Sequence, residues 1–294
     1  MGSSIVKMDI DKSILDIDVV AASGQCFSMS KIDDSTYKVL SADRACCVRS
    51  YDDKTALYIN MEDIEYWESY FNLRYGYDEH ISFLSTCGVP FIEECAKYSK
   101  GMVIIKQDLW EMIVSFIISQ RKSIPAIKKC LDKFRDVFGV SRRFYMDSSN
   151  YIEYKTFPTA KEFLETSRYE EKISSCGVGY RGKYIIDAAR WFLDLTDKDM
   201  EILRNGTYEN RMELLKEIYG VGDKVANCIC LFALSDMKAF PVDVWMDRVL
   251  ERELIPEHFL KLVNFPGFVQ QVIFYYVINH KDMFRDGKEN NYEG

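Results

Sequence analysis

Histidine is scarce in this 294-residue chain, and its three residues, His80, His258 and His280, lie far apart. Their scatter argues against a histidine-rich metal centre and against a Ser-His-Asp hydrolase. The nine cysteines are odd in number, and no two have the Cys-x-x-Cys spacing of a zinc site. We therefore expect a reducing compartment in which most thiols fill apolar cores.

Long apolar runs are absent as well. No stretch approaches the ~20 residues that a membrane-spanning helix requires, and residues 1–11 contain no apolar signal core. Hydrophobic residues make up 48% of the chain and charged residues 29%, which suffices for packed cores. We expect a monomer without membrane contact inside the cell, either in the cytoplasm or nucleoid of a prokaryote or in the nucleus of a eukaryote.

Basic residues are fewer than acidic ones, 38 against 46, which gives a net charge of −8. That balance disfavours a nucleic-acid partner. The distribution is uneven, because residues 121–144 contain eight basic and two acidic residues, whereas residues 52–79 contain two basic and eight acidic ones. One positive face would suffice for phosphate binding, although a solvated helix face explains the basic run equally well.

The sequence predicts an α+β fold. Segments rich in β-formers, separated by turn residues, indicate an antiparallel sheet over residues 26–29, 37–41, 45–50 and 56–59. Beyond them the apolar period becomes 3.6, which indicates helices over 62–73, 89–99, 110–118, 123–138, 159–167, 181–195, 208–219, 224–234, 244–253 and 267–279. We expect a small sheet domain with flanking helices over 1–100 and a helical body of two subdomains over 101–294. The polar segment 140–158 is predicted to be a loop.

One tight turn stands between two predicted helices, at Gly220-Val221-Gly222. Glycines let the backbone approach a ligand closely, and the following helix offers unpaired N–H groups to a phosphate. Taken by itself, this glycine pattern is equally explained by a turn with a purely structural role. Lys224 stands two residues after Gly222, and Pro241-Val242-Asp243 follows about 20 residues later.

This order resembles the helix-hairpin-helix motif and Pro-Val-Asp loop of the DNA glycosylase superfamily, with the hairpin over about 208–234 and the loop over 241–243. Tyr219 departs from the pattern, because relatives usually have proline there. The resemblance implies that Lys224 is a nucleophile toward C1′ of a damaged nucleoside. Such an amine must be neutral, which burial and a helix N-terminus both favour. Asp243 would cap the next helix and stabilise developing positive charge.

The resemblance implies no metal and no organic cofactor. Some members of the superfamily hold an iron–sulfur cluster on four cysteines after the aspartate, but no cysteine follows Cys230 here. The cluster is therefore excluded. A structural monovalent cation at the hairpin remains open.

Four further segments resemble the 8-oxoguanine DNA glycosylase family: Ser-Gly-Gln-Cys-Phe at 23–27, the 109–117 helix, Gly-Val-Gly-Tyr-Arg at 177–181 and the 267–274 helix. The resemblance implies that the Gly24 carbonyl accepts the N7–H that oxidation creates. Gln270 would read the Watson–Crick edge, Phe274 would stack on the flipped base, and Cys228 would close the pocket. Taken singly, these side chains are equally typical of a core or a surface.

The same family resemblance implies a DNA wedge and contacts to the orphaned base. Tyr180 would fill the gap left by the flipped base, and Arg181 would donate to the orphaned cytosine. Arg121 stands where relatives have asparagine, and Ala126 where they have arginine. We therefore expect weaker discrimination among opposite bases than is usual in the family.

Together these motifs predict a bifunctional glycosylase and AP lyase that acts on 8-oxoguanine in duplex DNA through a lysine Schiff base and β-elimination. Two alternatives stay open: a glycosylase for another damaged purine, and a non-catalytic helix-hairpin-helix protein that binds DNA.

Overall fold

The structure, a computed structural model, describes residues 4–146 and 150–285. In these ranges the strands are β1 (Ile5–Asp11), β2 (Met29–Lys31), β3 (Thr36–Ser41), β4 (Arg44–Ser50), β5 (Lys54–Asn60), β6 (Ser141–Tyr145) and β7 (Tyr151–Lys155). The helices are α1 (Ile17–Ala22), α2 (Ile64–Tyr70), α3 (Tyr77–Leu84), α4 (Pro90–Tyr98), α5 (Leu109–Ser119), α6 (Ile124–Phe138), α7 (Ala160–Glu165), α8 (Tyr169–Ser175), α9 (Arg181–Asp194), α10 (Asp197–Asn205), α11 (Tyr208–Lys216), α12 (Asp223–Phe232), α13 (Val244–Glu251), α14 (Glu257–Leu262), α15 (Pro266–Asn279) and α16 (Lys281–Phe284).

The first five strands form one antiparallel sheet in the order β1-β5-β4-β3-β2. Its turns follow from local side-chain chemistry, because Asp33 Oδ1 accepts hydrogen bonds from the N–H groups of Ser35 and Thr36 at 2.8 and 2.7 Å. The predicted sheet is confirmed. The predicted strand over 26–29 is wrong, since β2 begins only at Met29, and β1 was not predicted.

The rest of the described chain is mostly helical, which confirms the α+β fold. Each of the ten predicted helices is present, with ends shifted by up to three residues. Helix α5 lies in the core, where its residues 110–118 are all buried. Asp108 starts this helix by accepting a hydrogen bond from the Glu111 N–H at 2.8 Å.

Residues 140–158 were predicted to be a loop, but β6 and β7 pair there as an antiparallel hairpin. Phe144 is the one buried residue of β6. It packs against Leu40, Ala45 and Cys47 of the first sheet. Because the other β6 side chains are exposed, the strand lacks the alternation that reveals strands in a sequence. Residues 147–149 of this segment lie outside the described residues.

One apolar cluster connects the two halves of the chain, from Val39 and Leu57 in the sheet to Val272 in α15. The division at residue 100 stays a prediction, and the outer ends of both predicted domains lie outside the described residues. Within the described ranges, no helix has the length and apolar character needed to cross a membrane.

Candidate functional site

A cavity of about 410 Å³ opens between α5, α6, α12 and α15. Seven of the twelve residues singled out in the sequence line it: Gly24, Arg121, Lys224, Cys228, Asp243, Gln270 and Phe274. They come from five separate segments of the chain. Folding therefore assembles in one place the residues that the motifs predict to handle the base and the sugar.

Lys224 is the second residue of α12, which begins directly after the glycine turn. Its Nζ lies 5.5 Å from the centroid of the Phe116 ring. Burial would favour the neutral amine that the resemblance requires, but the Lys224 side chain is exposed. Cys228, one turn further along α12, is buried, and burial raises the pKa of its thiol while the charge on Lys224 opposes the rise. Cys228 therefore contributes an uncharged thiol to the cavity lining, one helical turn from the exposed Lys224 amine.

Asp243 is the N-cap of α13, where its Oδ1 accepts hydrogen bonds from the N–H groups of Trp245 and Met246 at 3.1 and 3.0 Å. Burial raises the pKa of the Asp243 carboxyl, and the Met246 hydrogen bond and the charge of Lys224 partly offset this rise. The predicted cap is thus present, on a residue that also lines the cavity.

Gly24 and Phe274 lie next to each other in the lining of the cavity. Gly24 has a φ of +77°, and a Cβ at this position would lie 2.9 Å from Phe274 Cε1. A side chain would therefore be both strained and obstructed. Nearby, Gln270 is buried, and among the described residues its Oε1 has no hydrogen-bond partner. A buried acceptor without a partner is costly, and a ligand donor in the cavity would relieve that cost.

The glycine turn connects α11 to α12, as the motif predicts. Gly220 has a φ of +87° and packs against the Tyr184 ring, while Gly222 is exposed and Val221 is buried. The Gly220 carbonyl accepts a hydrogen bond from Gln120 Nε2 at 3.1 Å. The turn is therefore tied to the loop that follows α5.

Tyr180 stands immediately before α9 and is 57% exposed, which suits a residue that enters DNA. Its ring lies 5.5 Å from that of Tyr184, which in turn lies 5.1 Å from the ring of Tyr219. The tyrosine that replaces the usual hairpin proline thus extends an aromatic row that begins at the predicted wedge.

Arg181 and Arg121 differ in their accessibility. Arg181 is 7% exposed, and its guanidinium donates to the backbone carbonyls of Gln120 and Val178. Its role toward the orphaned base stays a prediction, since the side chain is occupied within the protein. Arg121 is exposed at the cavity, with a φ of +51°.

The basic run over 121–144 is not one open positive face. Arg135 is 3% exposed and forms a buried ion pair with Glu111, with 2.5 Å between Nη2 and Oε1. Lys128 donates to the Met29 carbonyl at 3.2 Å. Part of the local positive charge therefore stabilises the fold. In the described part of the chain, no three His, Cys, Asp or Glu side chains are grouped to hold a metal ion.

Several residues of the cavity were not predicted, among them Phe116, Trp245 and Gln271. Phe116 belongs to the 109–117 segment that carries the family resemblance, which is the sequence signal for its place in the cavity. Gln271 is one of two adjacent amides in a mostly apolar helix, which is the signal that could have marked it.

Comparisons with known proteins agree with these motifs. Residues 7–113 match the family model of the 8-oxoguanine DNA glycosylase N-terminal domain, and residues 114–258 match that of the HhH-GPD superfamily of base excision DNA repair proteins. The N-glycosylase/DNA lyase of Saccharomyces cerevisiae is 33% identical over 175 residues, which cover 56% of this chain and 45% of that protein. The matched segment thus spans less than half of that relative's length.

Solved structures match over almost the whole chain. A structure of MBOgg1 in complex with a low-affinity DNA ligand is 29% identical, with a TM-score of 0.82, and covers 96% of this chain and 100% of that one. The Clostridium acetobutylicum 8-oxoguanine glycosylase/lyase, in complex with double-stranded DNA containing cytosine opposite 8-oxoG, is 26% identical. Its TM-score is 0.81, with 96% of this chain and 100% of that one covered.

Proposed function

The chain belongs to the 8-oxoguanine DNA glycosylase family of the HhH-GPD superfamily of base excision DNA repair proteins, and on that premise we propose that it excises 8-oxoguanine from duplex DNA and then cleaves the strand as a lyase. The observation that carries the proposal is the placement of Lys224 and Asp243 in one cavity with Gly24, Gln270 and Phe274. The proposed enzyme acts as a monomer inside the cell and requires neither a metal nor an organic cofactor.

The base would be read at three points after it is flipped out of the stack. The Gly24 carbonyl accepts the N7–H of 8-oxoguanine, whereas undamaged guanine presents a repelling lone pair at N7. The partnerless Oε1 of Gln270 accepts a donor from the Watson–Crick edge. Phe274 stacks on the ring. One lost hydrogen bond in a dry pocket costs about 1–3 kcal/mol, so access to the pocket must add to the discrimination against guanine.

The proposed chemistry starts with attack by the neutral Lys224 amine on C1′. The C1′–Nζ bond forms as the C1′–N9 bond breaks, and the base leaves with the electron pair and is protonated. Ring opening gives a Schiff base between Lys224 and C1′. Loss of a C2′ proton then expels the 3′ phosphate by β-elimination. Asp243 stabilises the positive charge that develops on the sugar.

Bound DNA would complete the site by excluding water from the cavity and by contacting the glycine turn, the wedge and Arg121. Lys224 is exposed in the cavity, and a bound nucleoside would exclude water from it. The turn at Gly220-Val221-Gly222 would bind backbone phosphates through its N–H groups. Tyr180 would fill the gap left by the flipped base. Arg121 would face the orphaned base with donors alone, which gives relaxed selectivity for the opposite base.

A panel of duplexes with one lesion each tests the proposal. We expect single-turnover excision of 8-oxoguanine and a cleaved strand, with little excision of alkylated purines. Faster release of an alkylated purine would favour a glycosylase for another lesion. Duplex binding without release of any base would favour a non-catalytic DNA-binding protein.

A further inference from the structure

Three buried glutamines surround the peptide segment that contains Gly24. Gln25, Gln107 and Gln271 are 0%, 5% and 1% exposed, and they come from the Gly24 loop, the segment before α5 and helix α15. An amide side chain in such a dry environment is favourable only when its donors and acceptors are paired.

Two of these glutamines bind the backbone carbonyls on either side of Gly24. Gln271 Nε2 donates to the Ser23 carbonyl at 2.7 Å, and Gln107 Nε2 donates to the Gln25 carbonyl at 2.8 Å. The peptide units before and after the one that contains the Gly24 carbonyl are thus each held by a side chain distant in sequence.

The third glutamine anchors the loop to the segment that precedes α5. Gln25 Oε1 accepts from the Ile105 N–H at 2.9 Å, and its Nε2 donates to the Val103 carbonyl and to Ser23 Oγ, each at 2.9 Å. The loop therefore has little freedom to rotate without breaking buried hydrogen bonds, each of which is costly to lose.

The Gly24 carbonyl itself is left without a donor among the described residues. Gly24 is half-buried and lines the cavity. The surrounding hydrogen bonds therefore fix the backbone around one unused acceptor. Such fixed acceptors bind a ligand donor well, since no reorganisation is needed when it arrives.

We propose that Gln271 is a positioning residue that holds the Gly24 carbonyl as the acceptor for the N7–H of the oxidised purine. This inference rests on the proposed function and deepens it. Gln271 follows Gln270, whose Oε1 is available in the same cavity. Helix α15 thus carries Gln270, which contacts the Watson–Crick edge, and Gln271, which holds the Gly24 carbonyl in place through its bond to the Ser23 carbonyl.

The test compares two substrates in the wild type and in Gln271→Met, which keeps the side-chain length but removes the donor. One duplex carries 8-oxoguanine, and the other carries 8-oxo-7-deazaguanine, in which a carbon replaces N7 and the N–H donor is lost. Loss of the bond to Gly24 should make the wild type favour 8-oxoguanine roughly 5–150-fold in single-turnover excision. In Gln271→Met this ratio should fall toward one, because only 8-oxoguanine loses a positioned acceptor.

A purely structural role predicts a different result. General damage to the pocket, or a contact between Gln271 and another part of the base, would slow excision of both substrates equally and leave the ratio unchanged. The control variant is Tyr276→Phe, which removes a hydrogen bond of 2.5 Å from the same helix to Glu94. It should leave the ratio at the wild-type value.

The outcomes separate the inference from the proposed function. A wild type that excises 8-oxoguanine while Gln271→Met keeps its preference overturns the inference alone. A wild type that excises both substrates equally overturns the inference together with the proposed contact between Gly24 and N7–H, but leaves the proposed excision of 8-oxoguanine standing. A wild type that excises neither base contradicts the proposed function. If Gln271→Met does not fold, Gln107→Met replaces it, because it removes the donor on the other side of Gly24 and should lower the ratio in the same way.

Discussion

The guanidinium of Arg181 donates a hydrogen bond to the backbone carbonyl of Gln120, so the residue next to the predicted wedge Tyr180 is fixed to the loop after α5. The same guanidinium donates to the Val178 carbonyl at 3.3 Å. One of the two arginines predicted to contact the orphaned base is therefore occupied within the protein. The other, Arg121, is exposed and offers only donors.

We predict that excision of 8-oxoguanine depends weakly on the opposite base. Arg121 can satisfy any base with an acceptor edge, and a missing pairing contact forfeits about 1–3 kcal/mol of discrimination. Single-turnover rates opposite C, T, G and A should therefore lie close together. A preference for C over A beyond roughly a hundredfold, more than the loss of one such contact allows, would contradict this account.

The half-buried Ala126 gives a second test of opposite-base selectivity. Ala126→Arg should sharpen the preference for C by supplying a second guanidinium. Ala126→Leu adds bulk without donors and should leave the four rates as close together as in the wild type. Equal sharpening in both variants would show that packing, and not pairing, controls the preference.

Two glycines of one turn should differ in their tolerance of alanine. At Gly220 a Cβ would lie 2.5 Å from Tyr184 Cδ2, on a backbone with a φ of +87°. At Gly222, with a φ of −99°, a Cβ would meet nothing within 4 Å. Thermal unfolding of the DNA-free protein should show a lower midpoint for Gly220→Ala and an almost unchanged one for Gly222→Ala. Equal midpoints would refute the predicted strain at Gly220.

Substitutions of Asp243 should separate its capping role from its charge. Asp243→Asn removes the charge but keeps a side-chain oxygen that can accept the two N–H groups, whereas Asp243→Ala loses the cap and about 1 kcal/mol of unfolding free energy. Both Asp243→Asn and Asp243→Ala should excise 8-oxoguanine far more slowly than the wild type. Wild-type excision rates in Asp243→Asn would leave the carboxylate with a capping role only.

The stability of these variants should depend on pH. Burial raises the pKa of Asp243, so its ionised form opposes folding. This cost is absent below the pKa of about 3.9 that an aspartate has in an unfolded chain, and it grows as the pH rises through the folded value. Urea unfolding should therefore show Asp243→Asn gaining stability relative to the wild type between acid and neutral pH. A gain that shrinks toward neutral pH would reverse the inferred sign.

Much of the fold could be predicted because its long helices have one apolar face. Short helices such as α8 and α14, with one buried residue each, carry too little periodicity to be found. The hairpin of β6 and β7 was missed for a related reason. Its strands pack mainly through Phe144, and pairing between exposed strands leaves no alternating pattern in the sequence.

The identity of the site residues could be predicted from sequence motifs. Their exposure and their hydrogen bonds could not be predicted, because these depend on tertiary contacts. The motifs do bring Lys224 and Asp243 into one cavity. The exposure of Lys224 and the burial of Arg181 depend on packing between segments far apart in sequence. The bond from Gln271 to Ser23 joins residues 248 positions apart, so no local pattern could reveal it.

The most direct test of the account is borohydride trapping on a duplex that contains 8-oxoguanine. The wild type should form a covalent protein–DNA adduct, since borohydride reduces the Schiff base between Lys224 and C1′. Lys224→Gln should form none and release no base, while it still binds the lesion duplex. Lys122→Gln, which removes another lysine of the same cavity, should keep the adduct. An adduct formed by Lys224→Gln at the wild-type rate would contradict the assignment of Lys224 as the nucleophile.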